Sequence, residues 1–333
     1  MTKDAATARP ADTRREALER WLDGVVARPY RLAPASADAS FRRYFRVTPA
    51  DGETRIAMDA PPEHEDTRQF LHVAGLMREA GLHVPEVFAA DAARGFALLS
   101  DLGTRSYLDA LGDGDADALF ADAIDALVTW QLATRPGALP DYDAALLRRE
   151  LDLFPDWYAR GLLGRPVEGA LGERWQEVRA ALVREALAQP QVFVHRDFMV
   201  RNLMDCEPRP GVIDFQDAVV GPIAYDLLSL FRDAGLSWDE ARVAGWVAQY
   251  VERARAAGLP VPPRDRFTRM FDLIGVQRHL KVAGIFARLA LRDGKRKYLA
   301  EIPRILGFLR AVAPRYPETA PLTAVLDGLQ ADG

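Results

Sequence analysis

The amino-acid sequence predicts an α+β fold of two lobes. Residues 1–102 form an antiparallel β-sheet lobe with a leading helix and one packed helix, and residues 103–333 form a larger, mainly helical lobe. Three observations predict it. Between Tyr30 and Leu99 the apolar residues alternate in short strand-like runs, broken by one stretch of helical period. Beyond Ser100-Asp101-Leu102-Gly103 almost every apolar pattern repeats with the helical period. The length, 333 residues, exceeds one ordinary domain and suits two lobes sharing a cleft.

The elements follow in order. Residues 1–11 read as a frayed tail, and a leading amphipathic helix over 13–26 carries Ala17, Leu18, Trp21, Leu22 and Val25 at helical spacing. Strand-like alternation runs over 30–59, with Asp51-Gly52 as a hairpin turn between Phe45-Arg46-Val47 and Arg55-Ile56-Ala57-Met58. Helical period returns over 63–80 through Phe70, Val73, Ala74 and Met77 and stops at Gly81 before Pro85. Two further strands are expected over 84–88 and 96–99. In the second lobe, helices are expected over 115–133, 144–163, 169–188, 264–292 and 301–312. Ser237-x-x-Glu240 reads as a capping box opening another helix, which ends at Gly258 and Pro260. Trp157, Tyr158, Trp175 and Trp246 sit in apolar helical stripes and read as core.

Composition excludes several classes. Hydrophobic content of 49% with 27% charged residues describes a chain able to bury a sizeable core. A net charge of −5 argues against a nucleic-acid partner. Uninterrupted apolar runs of membrane-spanning length are missing, and Met1 to Arg14 lacks an apolar signal core. A single cysteine, Cys206, cannot form an internal disulfide and reads as a small filler. A cytoplasmic location is expected.

The chemistry concentrates in His195-Arg196-Asp197-Phe198-Met199-Val200-Arg201-Asn202 and the following Gly211-Val212-Ile213-Asp214-Phe215-Gln216. An Asp lies five residues before an Asn, on a loop between apolar runs, with a second Asp ending a short β-like segment. Phosphoryl transfer from ATP needs this set: one carboxylate orients the attacking hydroxyl and accepts its proton, while an amide and a second carboxylate hold Mg2+. Asp197 is the expected catalytic base, with Asn202 and Asp214 as the metal pair. Magnesium prefers oxygen ligands, and only His195 stands near, so zinc is not expected. His195 and Arg196 are expected to frame the loop, and Asp226 to cap the helix beginning near Tyr225.

His195 to Asp214, followed by Gly221-Pro222-Ile223-Ala224-Tyr225-Asp226-Leu227-Leu228, resembles the core of the aminoglycoside phosphotransferase and choline kinase-like family. The resemblance implies a protein-kinase-like fold and an ATP-dependent transferase. Asp214-Phe215-Gln216 stands where protein kinases have D-F-G, and a downstream A-P-E is missing, which disfavours a protein substrate. Ser40 to Arg46, Met58-Asp59-Ala60-Pro61-Pro62, Gly81 to Val87 and Arg278-His279-Leu280-Lys281-Val282 are similar to bacterial kinases that phosphorylate N-acetylmuramate and N-acetylglucosamine at the anomeric hydroxyl. The similarity runs from about Ser36 to about Gly307. It implies phosphorylation of the C1 hydroxyl of a small amino sugar, feeding peptidoglycan recycling, with no membrane and no obligate protein partner. Two rivals stay open: a kinase of another small alcohol such as an aminoglycoside or choline, and a nucleotide-binding module without turnover.

The chain departs from that pattern where phosphates should be cradled. The turn Ser36-Ala37-Asp38-Ala39-Ser40-Phe41 has no glycine, leaving Ser40 to donate a hydroxyl. The third strand has no lysine; Met58 stands near its place, and Arg43 or Arg46 is expected to supply the missing charge. Leu98 to Leu102 is the expected adenine hinge, reading the base with backbone groups, with Leu99 and Asp101 among the nucleotide-binding positions. For the acceptor, Asp217 is expected to bind a sugar hydroxyl. Arg278, His279 and Lys281, within four residues on one helix, are expected to meet a carboxylate or hydroxyls.

Overall fold

The computed structural model describes residues 12–36, 41–50, 52–112, 115–233 and 235–330. They fall into two compact units: residues up to Arg78 with His83–Thr104, and Glu79–Leu82 with the chain from Arg105 onward.

In the first unit, helix α1 spans Thr13–Leu22, capped by Asp12, whose side chain accepts from the Arg15 amide at 3.0 Å. It stops four residues early because Gly24 and the approaching Pro29 favour a turn, closed by Val25 N–H to Leu22 C=O at 3.0 Å. Strands β1 (Tyr30–Ser36), β2 (Arg43–Pro49), β3 (Arg55–Asp59), β4 (Val87–Asp91) and β5 (Phe96–Ser100) form one antiparallel sheet in the order β1-β2-β3-β5-β4. Leu18, Trp21 and Leu22 of α1 pack with Phe45, Val47, Ala57, Phe96 and Leu98 of the sheet. Helix α2 (Thr67–Glu79) buries Phe70, Val73, Ala74 and Met77, the periodic positions of its sequence. The fourth strand begins at Val87, after Pro85, whose missing N–H cannot join a ladder. Gly95, at φ +78°, closes the β4–β5 turn, where a Cβ would stand 1.8 Å from the carbonyl oxygen of Ala60.

The second unit is built on helices α3 (Tyr107–Ala110), α4 (Ala116–Leu132), α5 (Ala144–Leu153), α6 (Gly169–Leu187), α7 (Tyr225–Phe231), α8 (Glu240–Ala256), α9 (Arg264–Arg292), α10 (Ile302–Val312) and α11 (Pro321–Gly328). Two small ladders interrupt them: β6 (Gln191–Val194) with β9 (Val219–Pro222), and β7 (Leu203–Met204) with β8 (Gly211–Val212). The expected helix over 144–163 changes winding after Leu153 into a π-helical segment, Phe154–Leu162. Pro155 has no N–H to return to Leu151, and the wider turn closes with Leu163 N–H to Tyr158 C=O at 3.1 Å. Helix α8 is capped by Asp239, which accepts from the Ala241 amide at 2.8 Å; the expected Ser237 box is not the device used. Tyr158, Trp175 and Trp246 are buried, as their stripes predict, whereas Trp157 is half-buried. No helix among the described residues is long and apolar enough to cross a membrane.

Helices α5 and α9 meet at a close approach. At Gly284 of α9 a Cβ would stand 2.4 Å from the backbone of Leu153, so the bare glycine lets α9 lie directly on the end of α5. Gln277 and Lys281 precede Gly284 by seven and three residues, on the same helix face.

Candidate active site

The functional loop emerges from β6, whose Val192, Phe193 and Val194 are buried. His195 is buried as well, and burial pulls its imidazole pKa down to about 4, so the ring is neutral. Its Nε2 meets the Ile213 carbonyl at 3.1 Å, and its Nδ1 accepts the Asp197 amide at 3.2 Å. The neutral ring therefore carries its proton on Nε2 and ties the two halves of the motif together. The framing role expected for His195 is visible in these bonds.

Asp197 is half-buried. Burial alone would raise its pKa, but the charges of Arg278 and Lys281 outweigh that and lower it, favouring the ionised base. Arg278 Nη2 lies 3.6 Å from its Oδ1. A 3-10 turn, Val200–Asn202, follows and carries the chain into β7. There the Asn202 amide nitrogen donates to the Asp197 carbonyl (2.9 Å) and to Asp214 Oδ2 (3.3 Å). Asp214 Oδ1 accepts from Gln216 Nε2 at 2.9 Å. With its N–H groups so directed, the donor that Asn202 offers a cation is its carbonyl oxygen. One amide oxygen beside one carboxylate suits a hard ion that completes its shell with phosphate oxygens and water. Among the described residues no three His, Cys, Asp or Glu gather as a denser metal site.

Arg196 (φ +76°) and Asp214 (φ +64°) are, among the described residues, the only non-glycine residues in the left-handed region. Each such residue costs about 1–2 kcal/mol. At Arg196 the conformation is held from several sides. Asp226, buried in the first turn of α7, accepts the backbone N–H groups of His195 (2.6 Å) and Arg196 (2.9 Å). The expectation that Asp226 caps α7 is thus corrected: Ala224 occupies the cap position, and the carboxylate reaches back to the loop. Burial pushes the Asp226 pKa up to about 7, against the pull of those two donors. The Arg196 side chain runs to Glu150 of α5, with Nη2 2.5 Å from Oε1.

Glu150 is the centre of this second layer. It also receives Lys281 Nζ at 2.9 Å, Gln277 Nε2 at 3.3 Å and the Tyr142 hydroxyl. Burial would raise its pKa, but Lys281 and Arg196 outweigh this and bring it to about 2. Arg278 Nη1 donates to the Arg196 carbonyl (2.9 Å) and to the Tyr225 hydroxyl (3.0 Å), which Lys281 also reaches (3.1 Å).

The structure thus brings Asp197, Asn202, Asp214, Arg278 and Lys281 together. It sets His279 apart, because the residue after Arg278 points about 100° around the helix. His279 stacks on Phe308 of α10, bonds the Gly275 carbonyl at 2.8 Å, and lines a cavity of about 250 Å3 with Arg232 and Trp238. Asp217 is exposed, and its backbone carbonyl receives Arg196 Nη1 at 3.4 Å. Lys281 is buried and bound to Glu150, so it is a member of the internal network and not an exposed sugar donor. Cys206 is half-buried.

In the first unit Ser40 lies outside the described residues. Met58 is fully buried on β3, so no charge stands there. Arg43 donates to Asp59 (2.6 and 3.0 Å) and to Asp12 (2.5 and 3.2 Å). Arg46 grips Asp101 (2.5 and 3.0 Å) and the Gly103 carbonyl (3.1 Å). Both guanidinium groups, expected to face phosphates, are engaged by internal carboxylates, and Arg46 and Asp101 serve each other. Leu99 is buried within β5 between β3 and β4, and the strand continues through Ser100.

Sequence reading missed Glu150, Tyr142, Gln277 and Tyr225. Glu150 had a visible signal: it shares the buried stripe of Leu147, Leu151 and Phe154, where a lone carboxylate must find partners.

Relatives named N-acetylmuramate/N-acetylglucosamine kinase are 50% identical over 330 residues in Pseudomonas aeruginosa (96% of this chain, 97% of that one). In Neisseria meningitidis the identity is 50% over 321 residues (95% and 96%). The fold is shared with the choline kinase LicA from Streptococcus pneumoniae (TM-score 0.64, 10% identity, 90% of this chain and 100% of that one). It is shared also with an ADP-bound aminoglycoside phosphotransferase (TM-score 0.60, 13% identity, 88% and 97%). Residues 31–267 match the Phosphotransferase enzyme family, a span that contains the whole loop from His195 to Asp226. With the acid–amide–acid loop and this match in agreement, the chain belongs to the phosphotransferase enzyme family.

Proposed function

We propose that the protein phosphorylates the anomeric C1 hydroxyl of N-acetylmuramate and N-acetylglucosamine with ATP, in the cytoplasm, in the service of peptidoglycan recycling. The observation that carries the chemistry is the convergence of Asp197, Asn202 and Asp214 on one loop braced by His195 and Asp226. The acceptor is supported by the near full-length relatives of that name. Asp197 aligns the attacking hydroxyl and takes its proton late, since a loose transition state needs little nucleophilic push. An anomeric hydroxyl is more acidic than an ordinary alcohol, so a modest carboxylate base suffices. Asn202 and Asp214 would hold Mg2+, which when bound neutralises charge on the phosphates.

The test follows ADP and the reducing end together. Each ADP released should consume one reducing end of N-acetylglucosamine or N-acetylmuramate, and a 1-deoxy analogue should not be phosphorylated. ADP formation with the reducing end intact would place the phosphate on another hydroxyl and overturn the anomeric assignment.

A further inference from the structure

The ionic network behind the loop touches neither Asn202 nor Asp214, yet it commits two buried charged side chains and the half-buried Arg196 to one backbone turn. We infer that Glu150, Arg196 and Lys281 form a positioning unit for Asp197, in which Glu150 anchors the Arg196 side chain and so holds the left-handed turn that aims the neighbouring carboxylate.

Glycine would adopt the Arg196 backbone conformation without penalty, so steric need does not explain an arginine there. The side chain does. It leaves the turn, passes the Tyr142 ring with its guanidinium carbon 5.6 Å from the centroid, and ends on Glu150. Glu150 cannot drift towards solvent, because α5 buries it and Lys281, Gln277 and Tyr142 hold its oxygens. Both cations reach this carboxylate, at 2.5 and 2.9 Å, and a buried ion pair broken on one side leaves an uncompensated charge. The opposite end of the turn is fixed by Arg278, which holds the Arg196 carbonyl while its second nitrogen faces Asp197. The peptide joining Arg196 to Asp197 is thus gripped at its carbonyl and through the preceding side chain. Orienting a base this closely matters, since a displacement of about 1 Å can cost on the order of 10²-fold in rate.

The inference rests on the proposed kinase reading for one of its readouts only. Arg196→Gly keeps the backbone at ease and deletes the anchor, while Arg196→Lys keeps a cation for Glu150. In Arg196→Gly, kcat for sugar phosphorylation should fall about tenfold or more, with KM for both substrates within about threefold of wild type. Arg196→Lys should recover much of the loss. Peptide-level hydrogen exchange over residues 194–199 should quicken in Arg196→Gly and in Glu150→Gln, whatever the acceptor is. A wild-type kcat in Arg196→Gly, or unchanged exchange in both variants, would overturn the positioning role. A raised sugar KM at constant kcat would also overturn it and make Arg196 a substrate contact. If wild-type protein turns over neither sugar, the proposed function fails on its own, and the exchange experiment still decides this inference.

Discussion

Arg278 holds Asp197 by two routes at once: its guanidinium faces the carboxylate at 3.6 Å and donates to the preceding carbonyl, that of Arg196, at 2.9 Å. Removing the base and removing its brace should therefore differ in degree. Asp197→Asn should lower kcat at least ~10²-fold, the lower range for a positioned general base, with nucleotide affinity nearly unchanged. Arg278→Met should lower it less, by about tenfold, because the bonds from Asn202 and His195 to the loop remain. Steady-state kinetics with both substrates varied checks the order; equal turnover in Arg278→Met and wild type would sink it.

The metal pair separates by charge. Asp214→Ala removes the only anionic member and should abolish Mg2+-dependent turnover. Asn202→Ala removes one neutral oxygen donor, and with it the bonds to Asp197 and Asp214, so turnover should weaken and the Mg2+ requirement rise. A Mg2+ titration indistinguishable from wild type in both variants would refute this assignment.

Arg43 should now behave as a structural residue. Asp59 is fully buried between Arg14 and Arg43. Losing one charge-assisted partner should cost roughly 1–3 kcal/mol of stability, partly offset because Arg14 remains. Arg43→Ala is therefore expected to lower Tm by several degrees while moving KM for ATP less than about twofold. A large rise in KM at constant Tm would restore the phosphate-facing role.

Acid should weaken the helical unit in a defined window. Burial depresses the pKa of His195 to about 4 and of His279 to about 3, below the unfolded value of 6.5, and Glu150 is depressed to about 2 from 4.5. In each case the unfolded chain binds the proton more readily. Stability is complete above the unfolded pKa and is lost as pH falls from about 6.5 towards the folded values. Buried Asp226, shifted upward, contributes with the opposite sign, so the informative quantity is a difference between variants. His279→Gln should show a flatter fall in Tm between pH 6.5 and 3 than wild type. Parallel curves would show that His279 carries none of the acid sensitivity.

Gly284→Ala tests the helix contact that brings Lys281 to Glu150. The added methyl has backbone atoms of Leu153 at 2.4 Å, which cannot rotate aside. Overpacking of this kind costs typically about 1–3 kcal/mol, read as a shift in denaturant midpoint. Gly75, where a Cβ meets nothing within 4 Å, is the control: alanine there should be neutral or stabilising.

The reacting groups were legible in sequence because they are local: Asp197, Asn202 and Asp214 lie within eighteen positions, and their spacing is the signal. Helices with unbroken apolar stripes, such as 264–292, were legible for the same reason. The supporting layer was not. Glu150 meets Arg196 across 46 positions and Lys281 across 131, and no periodicity links α5, the loop and α9. The same distance effect hides the carboxylate partners of Arg43 and Arg46, since Asp12 and Asp101 lie 31 and 55 positions away. Three polar residues within four positions, 278, 279 and 281, read as one patch, yet helical geometry sends His279 to a different neighbour.

The left-handed backbone at Arg196 and Asp214 carries a consequence for how activity is lost. The Arg196 turn would not persist in a free peptide, since it relaxes once Glu150 of α5, Asp226 of α7 and Arg278 of α9 stop holding it. Catalytic competence is then a cooperative property of the assembled helices, gained late in folding and forfeited early in their loosening. On heating, inactivation should run alongside or slightly ahead of the loss of helix signal and never trail behind it, and transplanting the short loop into another scaffold should carry over its residues without their reactivity.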